Sequence, residues 1–293
     1  MDTLLGGLVD YAGLFPPAAL AMPDAVSCYA RYALGPHRAT LGRFVLPVAR
    51  LDEFAVAADP FLPRAKAPDA SAPPWRLSVL AGPQDVEALA AFNAWEEGRA
   101  VIDTVEARAE SPAEIPAIAE ALGGVYTVFV EVPARGDPLH VLREVKRRGL
   151  RAKIRTGGIT LDAIPTPEEV LRFLEGCATL DLPFKATAGL HHPLRGEYAL
   201  TYAPDSVRGT MHGFLNVFLA ALLLRKKVPT ADVVALLDER DAAAIAVTDD
   251  GITWGGRRLS LQDVAEARAG FAGSFGSCSF EEPMQDLTSL QLI

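Results

Sequence analysis

Apolar positions along the chain gather into short β-rich runs separated by stretches of helical spacing. GRFVLPVA (42–49), WRLSVLAG (75–82), AVIDTVEAR (100–108), VYTVFVEVP (125–133), LRAKIRTGG (150–158) and LPFKATAGL (182–190) read as strands. Between them, 83–98, 111–122, 137–149 and 166–180 carry helical spacing, and LDEFAVAA after the first strand is helical in character. Start and stop signals sharpen the picture. Pro83 and Pro167 stand where a first helical turn tolerates proline, Ser111 and Thr166 are candidate caps, and Gly149 closes the fourth helix. After residue 190 the rhythm loosens. A long loop (191–210) leads to the apolar helix GFLNVFLAALLL (213–224), a second helix, a strand or hairpin around Asp250-Gly251, another helix, and a last strand candidate, SFGSCSF (274–280).

Strand–helix alternation with short links implies parallel βαβ units. Completing the set to eight gives a (β/α)8 TIM-type α/β barrel, a fold of about 250 residues. The expectation is one domain over 1–293, with 1–41 as an N-terminal arm or lid and 42–293 as the barrel. The Pro/Ala-rich stretch 60–74 reads as a surface loop. An open doubly wound sheet is the alternative, but no G-x-G-x-x-G follows the first strand.

Composition adds little except by exclusion. With 293 residues, a net charge of -9 and 50% hydrophobic residues, the chain is of ordinary globular make-up. Its acidity and the lack of a basic, aromatic-interleaved stripe argue against nucleic acid as a partner. The apolar run 213–224 ends in Arg225-Lys226-Lys227 and is too short to span a bilayer, so no membrane partner is expected. That helix suits the core or a subunit interface, and a homo-oligomer is compatible with it. Cys28, Cys177 and Cys278 are odd in number and not spaced as zinc ligands, and the first fifteen residues lack a basic leader, so a cytoplasmic protein with reduced thiols is expected.

The chemistry lies in the strand phases. Side chains alternate along a strand, so Glu131 shares a face with Thr127 and Phe129, opposite Val128, Val130 and Val132. By the same alternation Lys153 and Arg155 oppose Ala152 and Ile154, and Lys185 and Thr187 oppose Phe184, Ala186 and Ala188. These residues should point into the barrel near the carboxyl ends of its strands, where barrel enzymes react. Glu106 joins them if Thr104 faces inward, with Arg108 at the rim, and His191 and His192 follow the sixth run directly. Such convergence of ionisable groups is costly to desolvate and marks function, although a single Glu131–Lys153 pair bracing two strands would explain part of it.

Lysines and Arg155 around one pocket suit a small anionic substrate, and Thr156-Gly157-Gly158 offers either an anion nest or a plain turn. With Lys153 and Arg155 beside it, Lys185 would lose its proton readily and attack a carbonyl as a Schiff-base nucleophile, with Glu131 and Lys153 moving protons. Thr187, His191, His192 and Glu106 would bind substrate. No cofactor is expected on this reading. An alternative is a metal-dependent or acid–base enzyme in which Glu106, Glu131 and a histidine hold Mg²⁺ or another divalent metal. Another is a barrel that binds an anionic metabolite without catalysis. Asp10 reads as a turn or capping residue before a lid residue, and Cys278 as a small buried residue before a nucleophile.

K-A-T-A-G-L (185–190) resembles the lysine-bearing strand of class I aldolases of the deoxyribose-phosphate aldolase type, and KIRTGG resembles their lysine-plus-Gly-Gly segments. The resemblance implies a Schiff-base lysine on the sixth barrel strand and a second lysine later in the chain, whereas Lys153 precedes Lys185. Over its whole length the chain also resembles a group of bacterial barrel proteins of unassigned function, which share the Leu-Phe-Pro-Pro and Ser-Phe-Gly-Ser-Cys-Ser-Phe segments.

Overall fold

The computed structural model describes residues 1–64 and 73–293. Most of the loop expected at 60–74 therefore lies outside the described residues. The strands are β1 (Val9–Tyr11), β2 (Leu41–Pro47), β3 (Trp75–Leu80), β4 (Ala100–Arg108), β5 (Thr127–Val132), β6 (Arg151–Arg155), β7 (Phe184–Thr187), β8 (Gly196–Ala199), β9 (Arg208–Met211), β10 (Ile245–Thr248), β11 (Gly251–Trp254), β12 (Arg257–Ser260) and β13 (Ala272–Ser277). The first seven and β13 close a parallel barrel, in the order β1-β13-β7-β6-β5-β4-β3-β2 and back to β1. The fold is a (β/α)8 barrel.

One expectation about the parts needs correcting, and one alternative is decided. Residues 1–41 are not an arm outside the barrel, because Val9–Tyr11 pairs with β13 and β2 as its first strand. Conversely, of the strand and the hairpin read for 244–254 the hairpin holds, so the stretch supplies no barrel strand. It forms a hairpin about Asp249-Asp250, extended by β12 into a separate antiparallel sheet. The barrel strand β1 is three residues long with an aspartate at its centre, too short and too polar to register as a strand. The pairing of β8 with β9 folds the long loop after β7 into a second small antiparallel sheet.

Local signals hold the helices where they stand. Thr166 accepts from the Glu169 amide while the Glu169 carboxylate accepts from the Thr166 amide, and Pro167 takes the first helical position. Ser260 and Asp263 repeat the device. The helix Phe214–Arg225 is apolar on all sides and buried from Phe214 to Leu223. Within it, the amide of the buried Asn216 donates to the carbonyls of Leu236 and Glu239. This helix is thus core of its own chain. The core continues between strands and helices through Phe44, Phe54, Phe173, Phe184, Phe218 and Phe275. Among the described residues no helix is long and apolar enough to cross a membrane.

Candidate active site

A column of charged side chains fills the barrel axis. Lys185, on β7, is fully buried, and its Nζ donates to Asp10 Oδ2 at 2.7 Å and to Glu106 Oε1 at 2.6 Å. It also lies 5.6 Å from the centre of the Phe129 ring. Asp10, at the centre of β1, further accepts from Ser274 Oγ (2.5 Å) and from the Arg43 amide (2.7 Å). Glu106, on β4, accepts from Ser78 Oγ (2.7 Å) and, through Oε2, from Lys153 Nζ (2.9 Å). Lys153 reaches on to Glu131 Oε2 at 2.9 Å, and Glu131 lies 3.7 Å from Arg155 Nε at the mouth. Asp10, Lys185, Glu106, Lys153, Glu131 and Arg155 thus alternate in charge along one connected path.

Register explains the contacts. Lys153 stands opposite Glu131 on one side and Lys185 on the other, so three charged residues of adjacent strands share one level. Burial alone would neutralise these groups, but the ion pairs win. Burial pushes Glu106 up, yet Lys153 and Lys185 hold it well below the usual carboxylate range. Glu131 is lowered against its burial, chiefly by Lys153. Burial acts to lower Lys185, but Asp10 and Glu106 outweigh it and raise its pKa. The expectation of an easily deprotonated Lys185 among cations is therefore overturned. Its ammonium sits between two carboxylates and stays charged.

A cavity of about 80 Å³ opens above the column at the carboxyl ends of the strands. Lys153, Glu106, Glu131, Arg155, Thr187, His191 and Cys278 provide its polar lining, and Phe15 and Pro16 stand in its wall. Residues after β1 therefore do cover the mouth, tied down by the Ala12 amide donating to the Ser277 carbonyl. The cavity shares Glu106, Glu131, Lys153 and Arg155 with a wider cleft of about 650 Å³, which reaches Arg108 and Gln84. Lys185 lines neither.

Several expected site residues have other work. Thr156 is fully buried, and its hydroxyl donates to the Ala188 carbonyl at 2.7 Å. Gly157 is glycine because a Cβ there would stand 2.9 Å from the Gly189 Cα, and Gly189 itself has φ +74°. Thr156-Gly157-Gly158 is thus a close packing of two loops, outside the lining of the mouth cavity. His192 turns away, stacking on Tyr198 (3.5 Å between ring centres) and meeting Asp286 at 2.6 Å. Among the described residues no group of three or more His, Cys, Asp or Glu side chains is placed to hold a metal ion. Both Glu106 oxygens already accept from ammonium groups, and His191 faces Glu282.

The sequence reading put Asp10 in a turn or lid rather than on the barrel axis, and it missed Ser78 and Ser274. Asp10 carried a usable signal, since an acid between Val9 and Tyr11 repeats the pattern of Lys185 between Phe184 and Ala186. The two serines carried none.

No protein-family model matches the chain, and no curated protein matches it. Among solved structures, one that covers 87% of this chain and 79% of its own is a protein from Coccidioides immitis provisionally assigned as a fructose-1,6-biphosphate aldolase, with 11% identity and a TM-score of 0.34. At that distance the likeness carries no argument about activity, and the barrel rests on its own strand pairing.

Proposed function

We propose that the chain is an aldolase-type carbon–carbon lyase that forms a Schiff base with a small anionic carbonyl compound, and that Lys153 rather than Lys185 is the nucleophile. One observation carries this reading: Lys153 is the lysine that both lines the mouth cavity and touches two carboxylates, Glu106 and Glu131, at 2.9 Å each. A lysine nucleophile needs a proton acceptor at hand, and Glu131, nearer the mouth, is that acceptor. Strand count supports the same choice. With β1 at Val9–Tyr11, Lys153 lies on the sixth barrel strand and Lys185 on the seventh. The resemblance implies a Schiff-base lysine on the sixth strand, which fits Lys153 by position, although KATAGL, the segment that resembles the Schiff-base strand, is on the seventh here.

In this reading Glu131 takes a proton from Lys153, and the freed amine adds to the substrate carbonyl. The carbinolamine oxygen leaves as water, with its proton returned by Glu131. The resulting iminium accepts the electron pair of the breaking carbon–carbon bond while Glu131, ionised again, takes the hydroxyl proton of the departing carbon, which leaves as an aldehyde; protonation of the enamine and hydrolysis of the imine then release the second product. Lys185 stays an ammonium beneath, holding Glu106 ionised and in place. Arg155, with Arg108 along the adjoining cleft, offers cations to an anionic substrate.

The test is borohydride trapping with a panel of small oxo acids and aldehyde phosphates, read by intact and peptide mass. The expected adduct maps to Lys153 and is lost in Lys153→Met. An adduct on Lys185 would move the nucleophile, and no adduct with any carbonyl would sink the Schiff-base reading. A non-covalent second reading rests on the same two contacts. Lys153, held as an ammonium, would then steady an enolate formed by Glu131 as base, and exchange of substrate α-protons with solvent would reveal it.

A further inference from the structure

Two strands round the mouth from Lys153, a second group of reactive side chains meets at the end of β13. Cys278 follows that strand directly and lines the cavity. Its Sγ is 3.9 Å from His191 Nδ1 and 3.7 Å from the Tyr202 hydroxyl. His191 Nδ1 also lies 3.3 Å from Glu282 Oε2 and 3.4 Å from Ser277 Oγ. The Tyr202 hydroxyl donates to Glu282 Oε2 at 2.9 Å, which fixes the carboxylate. His191 is 7% exposed, and no hydrogen-bond partner of its Nε2 is found among the described residues, although its ring lines the cavity. Thiol, imidazole and carboxylate are the parts of an activated cysteine.

We propose that Cys278 is a second nucleophile of this mouth, activated by His191, and that it takes small aldehydes as hemithioacetals. The sulfur adds to the carbonyl carbon, the π pair moves to oxygen, and His191 supplies the proton that oxygen takes. The proton lost by the thiol is the one His191 passes on, so no oxidant or further reactant enters. The surroundings favour a charged imidazole. Burial opposes it, but the bonds to Cys278 and Glu282 push His191 up to about 9. Glu282 is lowered against its own burial by His191. Tyr202 on the loop faces the sulfur, and it is raised by burial first and then by Cys278, so it remains a neutral donor.

The chain supplies its own controls. Cys177 is fully buried and burial pushes its thiol up, whereas Cys28 is partly exposed and remote from any histidine contact. Labelling with iodoacetamide at pH 7, followed by peptide mass, compares all three. Cys278 should label about tenfold faster than Cys28, whose sulfur has the Arg31 guanidinium at 3.7 Å but no imidazole beside it. His191→Asn should remove that advantage. ¹³C-glycolaldehyde should give a hemithioacetal carbon signal, distinct from an imine signal, that is lost in Cys278→Ser. Labelling of Cys278 no faster than Cys28, an unchanged rate in a folded His191→Asn variant, or no hemithioacetal signal would each overturn the proposal. The wild-type comparison decides the matter if that variant does not fold. None of these readouts requires an adduct on Lys153, so this inference and the lyase reading fail separately.

Discussion

Along β6, Ile154 turns outward into the apolar shell beneath the helices, while its neighbours Lys153 and Arg155 turn inward and meet carboxylates. β7 repeats the division, with Phe184 and Ala186 in the shell and Lys185 on the axis. The outer face follows the rule for a parallel sheet under helices and stabilises the fold through buried apolar area. The inner face departs from the branched apolar layers that usually fill such barrels. Well-packed apolar residues of similar volume often match or exceed a buried ion network in stability. Stability alone therefore does not account for a barrel with Asp10, Lys185, Glu106 and Lys153 at its centre.

The comparison is most exposed to failure at Lys185. Lys185→Met should cost about 3–5 kcal/mol in urea unfolding, because it leaves the buried Asp10 carboxylate without its ammonium and Glu106 with Lys153 alone. Adding Asp10→Asn removes the opposite charge and should restore a good part of that loss, measured as a double-mutant coupling. A double variant as unstable as the sum of its parts would show that the axis is not a compensated unit.

A smaller effect comes from pH. The raised pKa of His191 means its contribution to stability is complete below its ordinary 6.5 and is lost as pH rises through about 9. His212 behaves oppositely. Burial lowers it to about 4, against a hydrogen bond to the Pro165 carbonyl, so its contribution is complete above 6.5 and fades as pH falls through about 4. The free energy of urea unfolding should therefore fall between pH 7 and 9 by roughly 1–3 kcal/mol, and His191→Asn should flatten that slope. An unchanged slope in the variant would assign the loss to other groups.

The smallest change lies in the shell. Ile154→Val should cost about 0.5–1.5 kcal/mol and leave borohydride trapping and thiol labelling intact. Loss of trapping would mean that the two faces of β6 are not independent.

Much of this was legible in the chain itself. Period-two alternation fixes which side chains share a strand face, so Glu131, Lys153, Arg155, Lys185 and Thr187 could be assigned inward positions from order alone, and strand–helix rhythm implied the closed barrel. Alternation says nothing, however, about which distant strand closes the circle. β1 is three residues long and is a strand because β13 and β2 flank it, and that closure brings Asp10 to Lys185 across 175 residues of sequence. One contact then reverses the chemistry expected of Lys185, since a lysine's charge depends on its nearest partners and not on its neighbours in the chain. Local order likewise set His191 and His192 side by side, but only packing sent one to Cys278 and the other to Asp286. The sequence by itself determined the faces; tertiary structure decided the partners, because electrostatic and hydrogen-bond energies act over a few ångströms of space, however far apart the residues are in the chain.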